Sequence, residues 1–189
     1  MKAALFPDAR VSSAYALPYE KLAAAGYRGV IYDIDNTLVP HNAPADDRAR
    51  ALFERLHAAG LVTCLTSNNK EPRVQSFAEA VQSDHYVYKA GKPGKRGYLQ
   101  AMSLMGTTPE TTLLIGDQIF TDVWGANRLG IATILVRKIH PREEIQIVLK
   151  RMLEFFILVA WRIVLWFRGE QETAWLVRRI GEKNEPDNG

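Results

Sequence analysis

Scarcity narrows the reading first. The 189-residue chain has one cysteine, Cys64. That excludes an internal disulfide and any multi-cysteine zinc site. Cys64 lies in an apolar run and reads as a buried core thiol. The four histidines, His41, His57, His85 and His140, share no spacing and read as surface or packing residues rather than metal ligands. The net charge is only +3, and apart from one basic loop there is no signal for nucleic acid, so no nucleic-acid partner is expected. The N-terminus lacks a long apolar core, so no secretory signal is expected and a cytoplasmic setting follows by default. Repeats and low-complexity segments are absent. The longest apolar stretch, in the tail, is broken by charges.

What is present is ordinary for a globular domain: 47% hydrophobic and 24% charged residues. Short apolar runs rich in β-branched residues alternate with segments of helical periodicity. Strands are expected near 30–32, 61–66, 85–88, 111–115 and 131–136. Helices are expected at 18–26, 46–59, 71–81, 98–105 and 121–129. Strands alternating with helices imply an α/β fold, three-layer and Rossmann-like, with a parallel sheet of about five strands. Residues 1–140 are expected to form this domain, 141–180 an apolar or amphipathic helical extension, and 181–189 a flexible tail.

The chain is organised around Asp33-Ile-Asp35-Asn36-Thr37. Two carboxylates stand at the carboxyl end of a buried strand, the edge where open α/β sheets bind ligands. Two like charges set side by side away from water require a cation or a proton between them. Asp117, after Leu113-Leu-Ile-Gly116, stands at the end of another strand. Ser67-Asn68-Asn69 follows a third strand and, taken alone, is equally a simple turn. Lys92 alone reads as a loop lysine, and Asp122 alone could cap a helix.

Together and in this order, Asp33-Ile-Asp35-Asn36-Thr37, Ser67, Lys92 and Gly116-Asp117-Gln-Ile-Phe-Thr-Asp122 resemble the four motifs of the haloacid dehalogenase (HAD) superfamily. The resemblance implies a phosphatase in which Asp33 attacks phosphorus to form an aspartyl-phosphate and Asp35 serves as acid and then base. It further implies that Ser67, helped by Asn68, and Lys92 bind the phosphoryl group. Mg²⁺, which prefers oxygen ligands, would be held by Asp33, by Asp35 through its backbone carbonyl, by Asp117 and by Asp122, the last directly or from just outside the ligands.

Neither gap between the first three motifs has room for a folded cap domain. A capless, open site suits a large or surface-held substrate: a protein, a nucleic-acid end or a lipid phosphate. Residues 142–168 read as an apolar helix beginning near Pro141. Lys150, Arg151, Glu154 and Arg162 interrupt it near one stripe, and Trp161, Trp166 and flanking arginines are candidate membrane anchors. Trp175, Arg178 and Arg179 are expected to continue that surface. Packing on the sheet, or a homodimer interface, is the alternative. The loop Lys89, Lys92, Lys95 and Arg96 would suit a second phosphate or an anionic membrane.

The wording Asp33-Ile-Asp-Asn-Thr-Leu-Val39, Ser67-Asn-Asn69, Lys92-Pro93 and Gly116-Asp-Gln-Ile-Phe-Thr-Asp-Val123 is similar to the YqeG-type, subclass IIIA HAD phosphatases, related to phosphatidylglycerophosphate phosphatases. This resemblance implies an anionic lipid phosphate as substrate and a site peripheral to the membrane. A phosphatase on soluble or macromolecular esters, or a non-catalytic interaction protein, are the other readings.

Overall fold

The computed structural model describes residues 4–140 and 145–181. Residues 141–144, the side chains of 145–151 and the tail from 182 onward lie outside the described residues, and with them the expectations for Pro141, Lys150 and Arg151.

Six strands form one fully parallel sheet: β1 (Ala9–Val11), β2 (Gly29–Tyr32), β3 (Val62–Thr66), β4 (His85–Val87), β5 (Thr112–Gly116) and β6 (Ala132–Val136), in the order β1-β6-β5-β2-β3-β4. From β2 the chain steps outward through β3 and β4, then returns to the other side of β2 for β5 and β6. That reversal makes β2 the switch point at which the carboxyl ends of neighbouring strands diverge and leave a crevice. Tyr32 stands in register with Leu65 and Ile115, so Asp33, Ser67 and Asp117, each at or just past a strand end, come to one edge.

The side-chain period of two sorts each strand between two cores. Val30 and Tyr32 of β2, and Leu113 and Ile115 of β5, face one side. They meet Leu22 of α1 (Tyr19–Ala24), Phe53 and Leu56 of α2 (Asp47–Ala58), and Val74 and Phe77 of α3 (Glu71–Val81). Ile31, Cys64 and Leu114 face the other side, against Tyr98, Ala101 and Met105 of α4 (Lys95–Met105) and Ala126 of α5 (Trp124–Asn127). Three layers result, as the sequence pattern implies, and Cys64 is buried with its thiol pushed up to about 12 by desolvation.

The helices start and stop where local chemistry allows. Asp46 accepts the Ala49 N–H at 2.8 Å and caps α2. Pro72 sits in the first turn of α3, which needs no donor there.

The structure adds detail to the expectation, or departs from it, at the first strand, in the 121–129 helix and along the tail. β1 is an additional edge strand, paired with β6. The helix expected at 121–129 is instead a π-turn, Ile119–Val123, followed by the short α5. The tail forms two helices, α6 (Ile145–Phe167) and α7 (Ala174–Gly181). Leu176 of α7 joins the main core, and Trp175 packs against it with its ring 6.2 Å from that of Tyr27, rather than extending an outer surface. Within α6, Trp161 is only 4% exposed and Trp166 is 74% exposed, so only the second is free to act as an anchor. Glu154 and Arg162 also part company: Glu154 is buried and Arg162 is exposed.

β3 is fastened at its start by Asp84, which accepts from the Thr63 N–H at 2.8 Å, from the Thr63 hydroxyl at 2.7 Å and pairs with His57 at 3.0 Å. Partial burial raises the Asp84 pKa, but the Thr63 hydrogen bonds and His57 outweigh it, and the net shift is downward. A depressed carboxylate stabilises the fold above its unfolded pKa and loses that contribution as pH falls through the folded value. Asp84→Ala is expected to cost about 1–3 kcal/mol at pH 7, towards the low end because the group is partly exposed. The deficit relative to wild type should shrink on acidification through the carboxylate range. Denaturant melts at pH 7 and pH 3 check this, and a deficit independent of pH would contradict it.

Candidate active site

At the switch point, Asp33 leaves β2 and is 9% exposed. Lys92 reaches it from the loop before α4. The Lys92 Nζ donates to Asp33 Oδ1 at 2.5 Å and to Asp122 Oδ1 at 2.8 Å. Asp122 Oδ2 in turn accepts the Gln118 N–H at 3.1 Å. The carboxylates of Asp33, Asp117 and Asp122 each offer an oxygen within 4.8 Å of the others.

Three carboxylates and one ammonium carry an excess of negative charge in a buried volume. Burial pushes the Asp33 carboxyl up to about 7, with Lys92 pulling it down and Asp122 pushing it further up. Lys92 is itself buried, which disfavours its charge, yet Asp122 and Asp33 raise its pKa well above the usual value. Both partners shift upward because one ammonium is shared between two carboxylates; it cannot fully repay either for lost hydration. Asn36 Oδ1 and Thr37 Oγ1, in the turn after Asp35, are buried without a hydrogen-bond partner among the described residues. An all-oxygen donor set with excess negative charge fits a hard divalent cation such as Mg²⁺.

Local geometry demands particular residues. Asn36 adopts a left-handed backbone (φ 64°), which Asn tolerates, and this turns the chain sharply after Asp35. At Gly116 a Cβ would lie 2.5 Å from the Asp122 carboxyl carbon, so only glycine lets that carboxylate fold back beneath the strand end. The π-turn follows from the same demand: the wider turn carries Asp122 back toward Lys92, where the expected α-helix would begin later.

Asp35 is held apart from this group. Its carboxylate accepts from Asn69 Nδ2 at 2.7 Å, from Arg73 Nη2 at 3.2 Å and from the Asn42 N–H at 2.8 Å, with His41 4.0 Å away. Arg73 also donates to the Ala43 carbonyl at 2.7 Å. Its side chain is therefore outside the three-carboxylate cluster. Asn69 lies within the Ser67-Asn68-Asn69 motif but carried no assigned role, and Arg73 lies outside the motifs; an arginine in the first turn of a helix is a weak signal alone. Ser67 is buried, and its hydroxyl accepts the Asn69 N–H at 3.2 Å. The Asn68 amide turns to the main chain of Lys92, accepting its N–H at 2.8 Å and donating to its carbonyl at 3.1 Å. That pairing fixes the lysine loop. Lys89, Lys95 and Arg96 are exposed around it.

Between Asp35 and Ser67 the chain holds α2 and β3, and between Ser67 and Lys92 it holds α3 and β4. No inserted domain covers the crevice from either gap.

The HAD-hydrolase-like family matches residues 89–146. The probable phosphatase YqeG of Bacillus subtilis (strain 168) is 38% identical over 137 residues, spanning 72% of this chain and 79% of that protein. Phosphatidylglycerophosphate phosphatase 1 (chloroplastic/mitochondrial) of Arabidopsis thaliana is 26% identical over 171 residues, spanning 83% of this chain and 48% of its own length. The crystal structure of hypothetical protein XCC2798 from Xanthomonas campestris superposes with a TM-score of 0.50 at 17% identity, covering 69% of this chain and 76% of that one. This last likeness concerns the fold alone.

Proposed function

Because the chain belongs to the YqeG-like branch of the HAD superfamily and is a hydrolase of phosphate monoesters, we propose that it removes the terminal phosphate of phosphatidylglycerophosphate. The observation that carries the catalytic part is the buried Asp33–Lys92–Asp122 group with Asp117 beside it. What supports a lipid substrate is the crevice without a cap, the exposed basic residues Lys89, Lys95 and Arg96, and the outer face of α6.

In this reading an oxygen of Asp33 attacks phosphorus in line with the ester oxygen. The phosphorus–oxygen ester bond breaks, and Asp35 gives its proton to the leaving alcohol. Water then attacks the aspartyl-phosphate, Asp35 takes its proton, and Asp33 is freed with inorganic phosphate. Asn69 and Arg73 aim Asp35 at the leaving oxygen. Ser67 and Lys92 hold the phosphoryl oxygens, and Asn68 keeps Lys92 in place while remaining within the same phosphate-binding turn. Asp33, Asp117, Asp122 and the Asp35 main-chain carbonyl would hold a divalent cation of the Mg²⁺ type. When bound, that cation would offset the negative charge of the carboxylates and of the phosphate.

Substrate delivery falls to α6. Met152, Phe155, Phe156, Val159, Ile163, Trp166 and Phe167 are all exposed along it. Exposed Arg162, Arg168 and Arg178 lie at or beyond its edge. Among the described residues no helix is long and apolar enough to cross a membrane. An apolar face bordered by arginines suits a helix lying in the interface of an anionic bilayer.

Phosphate release from phosphatidylglycerophosphate and from a water-soluble ester, each with Mg²⁺, tests the substrate. Preference for the lipid is expected. Efficient turnover of the soluble ester alone would discard the lipid assignment and keep the phosphatase. The double variant Phe155→Glu with Trp166→Glu is expected to reduce sedimentation with phosphatidylglycerol vesicles by about tenfold or more. Its turnover of the soluble ester should stay within about twofold of wild type. Vesicle binding unchanged in this variant would remove α6 from the membrane contact.

A further inference from the structure

The inner face of α6 meets the site at one residue. Glu154 is a carboxylate in the middle of a largely apolar helix, yet it is only 5% exposed. Its Oε1 accepts the Ile119 N–H at 2.7 Å and the Phe120 N–H at 3.2 Å. Ile119 and Phe120 open the π-turn that carries Asp122, and they follow Asp117 by two and three residues. The first N–H groups of a helical turn have no acceptor within it. Here three successive ones are taken by two carboxylates: Gln118 donates to Asp122 and the next two donate to Glu154. Around this contact Ile157 and Leu158 of α6 pack against Ile119, Val123 and Leu135.

A buried carboxylate is an expensive way to fill a core position. Leucine would pack the same face without that cost and would leave the two N–H groups without an acceptor. One Oε1 accepting two successive main-chain N–H groups fixes the turn more firmly than packing alone.

We propose that Glu154 is a positioning residue: through it α6 clamps the Gly116–Val123 loop and sets where Asp117 and Asp122 stand relative to Asp33, and thereby sets the affinity of the site for its divalent cation. This rests on reading Asp33, Asp117 and Asp122 as the cation-holding set. The residues that aim metal ligands commonly govern affinity by tenfold or more. The helix that offers its outer face to a lipid surface thus also braces the carboxylates.

The test compares full-length wild type, Glu154→Ala and Glu154→Gln. Mg²⁺ and Mn²⁺ binding is measured by calorimetry, amide exchange is followed over residues 118–123, and melting is recorded without metal. Glu154→Ala is expected to weaken cation binding by about tenfold or more and to accelerate exchange at Ile119 and Phe120. Glu154→Gln, which keeps an acceptor oxygen of lower strength, should recover most of both. Vesicle sedimentation should be unchanged in either. Cation affinity within twofold of wild type in Glu154→Ala overturns the proposal. So does a lowered melting temperature with no change in affinity, or a loss of affinity that Glu154→Gln does not recover. If Glu154→Ala does not fold, Glu154→Leu, which keeps the apolar packing and removes the acceptor, takes its place: cation affinity within twofold of wild type overturns the proposal. Wild type that binds neither cation while Ile119 and Phe120 are protected by Glu154 would instead overturn the cation-site reading, and the affinity claim with it.

Discussion

Asp33→Asn is expected to lower phosphate release from every monoester by about a thousandfold or more, because an amide oxygen is a poor nucleophile and cannot form the acyl-phosphate. The same substitution should not unfold the protein, and this separates chemistry from structure. Burial raises the Asp33 carboxyl from 3.8 to about 7. A carboxylate whose folded pKa lies above its unfolded one is tolerated in its protonated form, so its contribution is fully favourable below about pH 4 and is lost as pH rises toward 7. Metal-free wild type should therefore lose stability between those pH values, and Asp33→Asn should lose less. Melting of both metal-free proteins at pH 5 and pH 7.5 checks the sign. Wild type and variant falling in parallel would place the cause elsewhere. Saturating Mg²⁺ should restore wild type at pH 7.5 more than it restores the variant.

Lys92→Met carries the second large effect, and it acts on stability as much as on turnover. The ammonium stands between Asp33 and Asp122 at 2.5 and 2.8 Å and is 7% exposed. Removing one partner of a buried ion pair leaves the other charge without compensation and costs about 3–5 kcal/mol. The cost is expected in full only at alkaline pH, where Asp33 is ionised. It should diminish as pH falls and Asp33 takes up a proton, since losing the cation that pulls its pKa down leaves burial to raise it further. Phosphate release should be lost at every pH. A variant as stable as wild type at alkaline pH without metal would mean that the ammonium does not offset the Asp33 charge. A variant that keeps turnover would remove Lys92 from the chemistry.

The parts of the fold that were legible in the sequence share one property: each is a local pattern with a chemical terminus. β2, β3 and β5 are apolar runs ended by Asp33, Ser67 and the pair Gly116-Asp117, and the parallel register brings those ends together. α3 was legible to the residue, since Pro72 marks its start and its apolar positions are evenly spaced. What escaped was set by partners far along the chain. Ala9-Arg10-Val11 has no apolar run, and only the docking of β6 beside it makes it a strand. The helical period after Gln118 was real, but Asp122 has to satisfy Gln118 and Lys92 at once, and that widens the turn. Asn69 and Arg73 became visible as site residues only when α3 was placed beside Asp35. In the tail, charges counted along one stripe gave no hint that Glu154 faces inward to bond main-chain N–H groups while Arg162 faces outward.

The strand order also governs when this protein becomes itself during synthesis. β1 leaves the ribosome first of the six strands, but its partner in the sheet is β6, the last of them to emerge. β3 can pair with β2 and β4 with β3 as they appear, but β5 and β6 must close on the opposite flank. Asp33 is therefore exposed early, and Asp117 and Asp122 reach it only when that second flank arrives. Until then Asp33 stands without the two carboxylates that complete its cluster. A chain stalled before β5 has neither Asp117 nor Asp122, so completing the sheet and assembling the three-carboxylate group are one event.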